Sequence, residues 1–258
     1  MIRRSALQAA AGAALGLLCA GAAHAGLEEL IAAAKPSVVA VGVFNPTSNP
    51  RFTFRGSGFV VGDGTLIVTN QHVLPEVNPS SGPEGSLAVV APRVGGAESA
   101  AGRTATVVAS DREHDLVLLR IEGAPLPALP LAENISPEGT AIAIIGVPIG
   151  GVLGFSPVTH RGIVSSVTAI ALPAPSAQSL SNQAISRLRQ GSFDIYQLDA
   201  TAYPGNSGGP VLEIESGKVI AVINMVLVKG SRESAITHPS GISYAIPVRF
   251  VHELMKNR

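Results

Sequence analysis

From residue 26 onward the chain alternates brief apolar, β-branched runs with clusters of Gly, Pro, Asn and Ser. The clearest runs are Ser37 to Phe44, Ser57 to Val61, Thr65 to Thr69, Thr104 to Ala109, Leu116 to Ile121, Ala141 to Ile145, Gly162 to Val167, Asp194 to Leu198, Val219 to Met225 and Ile242 to Ile246. Many short runs at this spacing, with almost no helical period, predict an all-β sandwich or barrel. Gly62-Asp63-Gly64, between two such runs, predicts a tight hairpin turn. Only the ends have helical character. Leu27 to Lys35 is a short amphipathic segment, and Pro247 to Arg258 predicts a closing helix with Phe250, Val251 and Leu254 on one face.

The strand pattern weakens from Gly123 to Pro130, where Pro125, Pro127 and Pro130 crowd together. We read this stretch as a linker between two halves of similar size, residues 26–127 and 128–258. A second strand-poor stretch, Pro173 to Gln190, is rich in Ser, Ala and Gln and predicts a long functional or mobile loop. The sequence has no internal repeat.

The first 25 residues follow different rules. Arg3 and Arg4 precede an apolar stretch from Ala6 to Ala23, which ends in Ala23-His24-Ala25. That layout predicts a secretory signal peptide cleaved after Ala25, against the alternative of an uncleaved anchor. Export to the periplasm, or secretion, is the expectation. Cys19 is the one cysteine and leaves with the leader, so thiolate catalysis and thiolate metal sites are excluded from residues 26–258. Lys plus Arg and Asp plus Glu are equal at 18 each. This balance leaves no electrostatic footprint for nucleic acid. No run after the leader is long enough to span a bilayer, so no stable membrane insertion is expected once it is removed.

The strongest chemical signal is Gly205-Asn206-Ser207-Gly208-Gly209-Pro210. A serine hydroxyl needs a neighbouring base to become a nucleophile, and the oxyanion formed on attack needs preorganised donors. Glycines around a serine permit a sharp turn that aims backbone N–H groups at that oxygen, and those of Gly205 and Ser207 are the candidate donors. Taken alone, the hexapeptide is also ordinary turn chemistry. Two further residues make it more specific. His72, in Thr69-Asn70-Gln71-His72-Val73, stands where the chain leaves a strand, and Asp115 opens the apolar run Asp115-Leu116-Val117-Leu118-Leu119. A carboxylate there can accept an imidazole N–H and fix its tautomer. The chain order His, Asp, Ser is one of the known triad orders and differs from those of subtilisins and α/β-hydrolases.

With these residues in hand, the sequence resembles the protease domain of the HtrA/Deg branch of the trypsin-like serine proteases. The resemblance is carried by Pro36-Ser37-Val38-Val39, Gly56-Ser57-Gly58-Phe59, the histidine and aspartate motifs, Arg161-Gly162-Ile163-Val164-Ser165, the Gly205 to Pro210 loop and Ala245-Ile246-Pro247. It implies two six-stranded antiparallel β-barrels of the chymotrypsin type followed by a short helix, with the triad in the cleft between them. It also implies a primary pocket lined by Ala200-Thr201-Ala202 and by Ile223-Asn224-Met225. Thr201 stands where trypsin-like enzymes carry an acid for Lys or Arg, so cleavage after small or medium aliphatic residues is expected. The partners implied are protein or peptide substrates and further copies of this chain, since HtrA relatives form trimers through their N-terminal segments.

The sequence also departs from its families. HtrA proteins carry a PDZ module after the protease domain, and the chain ends at Arg258, too soon for one. Asn206 replaces the aspartate that pairs with a new N-terminus in pancreatic-type zymogens, so leader removal alone is expected to suffice for activation. His114 is expected to point away from its neighbour Asp115 if the segment is extended, His160, His238 and His252 lack the spacing of metal ligands, and all four are read as surface or loop residues. The mechanism needs no metal and no cofactor. The rival readings are a binding protein that keeps the fold without turnover, and an esterase or a protease confined to one partner.

Overall fold

The computed structural model describes residues 26–75, 85–92, 102–148, 154–169, 193–224 and 241–258. The leader, residue Met225, His238 and the Pro173 to Gln190 stretch lie outside the described residues.

The chain enters through helix α1 (Leu27–Ala34) and a single 3-10 turn (Lys35–Ser37). It then forms β1 (Val38–Phe44), β2 (Phe52–Val61), β3 (Leu66–Asn70), β4 (Ser86–Val90), β5 (Arg103–Asp111) and β6 (Leu116–Ile121). These close into a barrel in the order β1-β2-β3-β6-β5-β4. A second set follows: β7 (Ala141–Gly146), β8 (Val158–Ala169), β9 (Asp194–Asp199), β10 (Pro210–Glu213), β11 (Val219–Asn224) and β12 (Ile242–Pro247). It closes in the order β10-β11-β12-β9-β8-β7, with every pairing antiparallel. Closure removes the unpaired sheet edges that such short strands would otherwise expose. The fold is therefore all-β with two six-stranded barrels, as the resemblance implied.

The hydrophobic pattern explains where the barrels meet. β5, broken by a bulge between Val107 and Ala109, leaves much of its length open to solvent, whereas β3 and β11 are buried at every position because one face fills a barrel and the other meets its neighbour. One core cluster runs through both barrels, from Phe59, Leu66 and Leu118 to Ile144, Leu198 and Val222. A smaller cluster of Val39, Val60, Ile67, Val117 and Leu119 fills the first barrel. Helix α2 (Arg249–Lys256) follows the second barrel yet buries Phe250, Val251 and Leu254 in that shared core and packs on β5 and β6. The chain is thereby strapped back onto its own first half.

The Gly62-Asp63-Gly64 turn forms as expected. Both glycines have positive φ, 64° and 86°, and the Gly64 N–H donates to the Val61 carbonyl. Thr65 donates to the Asp63 carboxylate through both its N–H and its hydroxyl, which holds that carboxyl below its usual pKa. Two strands fall outside the sequence reading. β10 begins at Pro210, a residue that reads as a turn, and β4 is five residues set between segments with no strand pattern.

Candidate active site

Asp115 is the most heavily committed polar residue at the cleft. It is the one non-glycine residue described with a positive φ, 54°, a conformation that aspartate tolerates better than most side chains. That turn, at the start of β6, points its carbonyl and its carboxylate toward the end of β3. The carbonyl accepts the Gln71 N–H at 3.0 Å and the Asn70 side-chain amide at 3.1 Å. The carboxylate takes the His72 backbone N–H at 2.9 Å on Oδ1 and His72 Nδ1 at 2.6 Å on Oδ2. A carboxylate only accepts, so Nδ1 carries the proton and Nε2 keeps its lone pair. The His72 and Asp115 side chains are 30% and 26% exposed, so the pair lies at the mouth of the cleft.

A third donor reaches Oδ2 from the other barrel, the Asn224 side-chain amide at 2.8 Å. The sequence reading put Asn224 with Ile223 on the primary pocket wall. In the structure the Asn224 amide is turned onto Asp115 and the residue is 1% exposed. Ile223 is fully buried, and its backbone anchors the serine loop: its carbonyl accepts the Gly208 N–H at 3.0 Å, and its N–H donates to Gly209 at 2.9 Å. Thr201 is half-buried just ahead of that loop, and Ala200 and Ala202 are buried.

Ser207 is 7% exposed in a turn closed by Asn206 N–H to the Tyr203 carbonyl and Gly209 N–H to the Asn206 carbonyl, each at 2.9 Å. Gly205 and Gly208 have φ of 102° and 84°, so both use backbone freedom that other residues lack. The loop is pressed onto the histidine segment. A Cβ on Gly208 would lie 2.3 Å from Thr69 Oγ1 and 3.1 Å from Asn70 N, and one on Gly56 would meet Val73 at 2.6 Å and the Ser207 carbonyl at 3.0 Å. Glycine at these positions is what lets the serine loop and the histidine turn share one cleft. Because the Asn206 carbonyl is tied inward to Gly209, the trans peptide directs the Ser207 N–H the opposite way.

Asn206 behaves differently from its neighbours. It is fully buried, and neither its carboxamide nitrogen nor its oxygen has a hydrogen-bond partner among the described residues. Its Oδ1 faces Gly146, where a Cβ would come within 2.6 Å. A charged side chain in that position would demand a counter-ion, whereas a neutral amide bears burial at lower cost.

The sequence missed Arg55. Its Nε donates to the Val73 carbonyl at 2.7 Å and its Nη2 to the Leu74 carbonyl at 3.1 Å, clamping the turn that carries His72. No local pattern marks an arginine inside a strand as a clamp for a turn 18 residues later. His114 is also more than a surface residue, since it pairs with Asp111 and stacks on Phe250. Among the described residues no group of three His, Cys, Asp or Glu side chains is placed to hold a metal, and no helix is long and apolar enough to cross a membrane.

The trypsin-like peptidase domain matches residues 56–222, which include His72, Asp115 and Ser207. The chain belongs to the trypsin-like peptidase family. Within it, the chain is 28% identical over 203 residues to a probable periplasmic serine endoprotease DegP-like of Chlamydia muridarum, covering 78% of this chain and 33% of that protein. It is 29% identical over 208 residues to the mitochondrial serine protease HTRA2 of Drosophila pseudoobscura pseudoobscura, covering 80% and 39%. The chain spans about a third of the length of the DegP-like relatives. In fold it is similar to the active form of the Rv3671c protease of M. tuberculosis, with a TM-score of 0.61 at 20% identity over 88% of this chain and 82% of that one. This peptidase domain thus resembles HtrA-branch proteases in sequence, in line with the resemblance stated from its motifs.

Proposed function

We propose that this trypsin-like peptidase domain is an exported serine endopeptidase with Ser207 as nucleophile, His72 as general base and Asp115 as the group that orients the imidazole. The observation that carries the reading is that the His72–Asp115 pair, joined at 2.6 Å through Nδ1 so that Nε2 keeps its lone pair, stands on the segment against which the Ser207 loop is pressed, where a Cβ on Gly208 would lie 2.3 Å from Thr69 Oγ1 and 3.1 Å from Asn70 N. In the first step Nε2 takes the Ser207 hydroxyl proton as Oγ attacks the scissile carbonyl. The oxyanion is received by the N–H groups of Gly205 and Ser207. Collapse expels the amine, protonated by the imidazolium, and leaves an acyl-enzyme; water activated by the same nitrogen then releases the acid.

The substrates proposed are unfolded or flexible protein segments, which enter such a cleft as an extended strand. Half-buried Thr201, with no acid in its place, supports cleavage after small or medium aliphatic residues. The leader motif and the periplasmic naming of the DegP-like relatives support export. Treating the protein with a fluorophosphonate probe and with casein, beside Ser207→Ala, tests the reading. Labelling and proteolysis that both fall by on the order of 10⁴-fold in the variant are expected. A wild-type protein that takes no probe and cleaves no casein overturns the reading in favour of a binding protein.

A further inference from the structure

We infer that Ser57 is a positioning residue for the oxyanion-binding peptides, holding the nucleophile loop of the second barrel from inside the first; this rests on the assignment of Ser207 as nucleophile. Ser57 lies mid-way along β2, fully buried, and commits all four of its polar groups. Its N–H donates to the Ser207 carbonyl at 2.8 Å, and its hydroxyl donates to the Gly205 carbonyl at 2.6 Å. Its Oγ accepts the Val147 N–H at 2.8 Å, and its carbonyl accepts the Thr69 hydroxyl at 2.6 Å. Three of these four bonds cross to the other barrel.

Their placement is what gives them a consequence. A planar trans peptide presents its C=O and N–H in opposite directions, so fixing one fixes the other. The peptide joining Gly205 to Asn206 is held at both ends, by Ser57 Oγ and by the Tyr203 carbonyl. The peptide joining Ser207 to Gly208 is also held at both ends, by the Ser57 N–H and by the Ile223 carbonyl. Between them lies the peptide that carries the Ser207 N–H, one of the two proposed oxyanion donors. Ser57 therefore grips the planes on either side of that donor, and the grip on Gly205 bears directly on the residue whose own N–H is the second.

The site also requires a hydroxyl in particular. At Gly56 an added Cβ would meet the Ser207 carbonyl at 3.0 Å, and at Gly58 one would meet Ile67 and Val41 at 2.8 and 3.0 Å. β2 thus carries small residues where it passes under the loop and one hydroxyl where a donor and an acceptor have to be joined. Replacing Ser57 by alanine removes the hydroxyl and leaves the Gly205 carbonyl and the Val147 N–H buried without it. Gly205, at φ 102°, has the freedom to turn its peptides and relieve that loss. Such a turn displaces the oxyanion donors while leaving the substrate groove intact. Donors aimed at developing charge act on the transition state more than on bound substrate, so the loss falls on kcat rather than KM.

The test compares wild type, Ser57→Ala and Ser57→Thr for kcat and KM on a peptide released from casein. It adds the rate of fluorophosphonate labelling and the amide ¹H–¹⁵N signals of Val147 and Gly205. Expected for Ser57→Ala is a kcat lower by roughly 10- to 100-fold, less than loss of an oxyanion donor itself. KM should hardly change, labelling should slow in parallel, both amide signals should shift, and Ser57→Thr should recover most of the rate. A Ser57→Ala protein that keeps its kcat, or that loses only KM, overturns the inference. If wild type neither labels nor turns over, the proposed nucleophile fails instead. The bridge is then judged by the amide signals alone, and unchanged Val147 and Gly205 signals in Ser57→Ala overturn it.

Discussion

Two histidine–aspartate pairs take their aspartates from opposite ends of the β5–β6 connection, built with the same hydrogen bonds and set to different ends. His72 and Asp115 join through the backbone N–H at 2.9 Å and Nδ1 at 2.6 Å; His114 and Asp111 join through the backbone N–H at 3.1 Å and Nδ1 at 2.6 Å. In both, the carboxylate fixes the tautomer. The surroundings of the rest of the ring differ. The His72 side chain is 30% exposed, on a segment whose neighbours Asn70 and Val73 pack against the serine loop and Gly56, with Asn224 supporting its aspartate from across the barrels. The His114 ring is 13% exposed, stacked on Phe250 at 3.7 Å and edge-on to Phe193 at 4.6 Å. A His–Asp hydrogen bond is therefore no sign of catalysis by itself; what the free ring nitrogen can reach decides whether the pair is a base or a fastening.

The same chemical change at the two aspartates should break the symmetry most sharply. Asp115→Asn keeps a side chain that tolerates φ of 54°, so the backbone turn should survive. An amide that donates toward Nδ1 forces the proton onto Nε2, the wrong nitrogen for a base. We expect kcat to fall on the order of 10⁴-fold. Asp111→Asn makes the same change to a ring that faces Phe193 and Phe250, and should leave kcat near wild type. Steady-state kinetics on the casein-derived peptide measure both, and equal losses at the two positions would sink the distinction.

The second effect appears in stability. His114 joins the β5–β6 turn to helix α2 and to the residue before β9, while Arg249 lies 4.6 Å from the centroid of the same Phe250 ring. His114→Ala removes a mostly buried ring, its stacking and its bond to Asp111, and should cost roughly 1–3 kcal/mol in urea unfolding. His72→Ala, made at an exposed edge, should cost less than that while abolishing turnover. A His114→Ala loss within about 0.5 kcal/mol, the range of ordinary surface substitutions, would show that the cluster fastens nothing.

These contrasts mark what the sequence carries and where it stops. Short β-branched runs bounded by glycine and proline made ten strands legible, because burial of alternating residues is written locally. β10 was hidden because Pro210 serves the turn and the strand together, and β4 because five residues carry too little period. His72, Asp115 and Ser207 could be singled out because each sits in a motif of its own. Their support could not. Ser57 and Gly205 are 148 residues apart, Asn224 and Asp115 are 109 apart, and the bonds joining them exist only once two barrels are closed. His114 was expected to point away from Asp115 along an extended segment, whereas residues 112–115 form a turn that brings His114 back onto Asp111.

A third histidine sharpens the comparison by lacking a carboxylate among the described residues. His160 sits on β8 with its ring 5.4 Å from that of Tyr203; its Nε2 is buried without a partner among the described residues, and burial holds its pKa below 6.5. The sign of the linkage follows from that direction. Between the depressed folded value and 6.5 the unfolded chain binds a proton that the folded chain does not, so stability rises with pH through this window. Acidifying from neutrality should therefore destabilise the protein until the pH passes below the folded value, where this contribution levels off. His160→Gln, which cannot take up the proton, should flatten the slope of Tm against pH just below 6.5 with little change at neutral pH. If His160→Gln leaves the slope unchanged, burial at His160 does not govern acid stability, and a partner for its Nε2 must be sought in the folded protein.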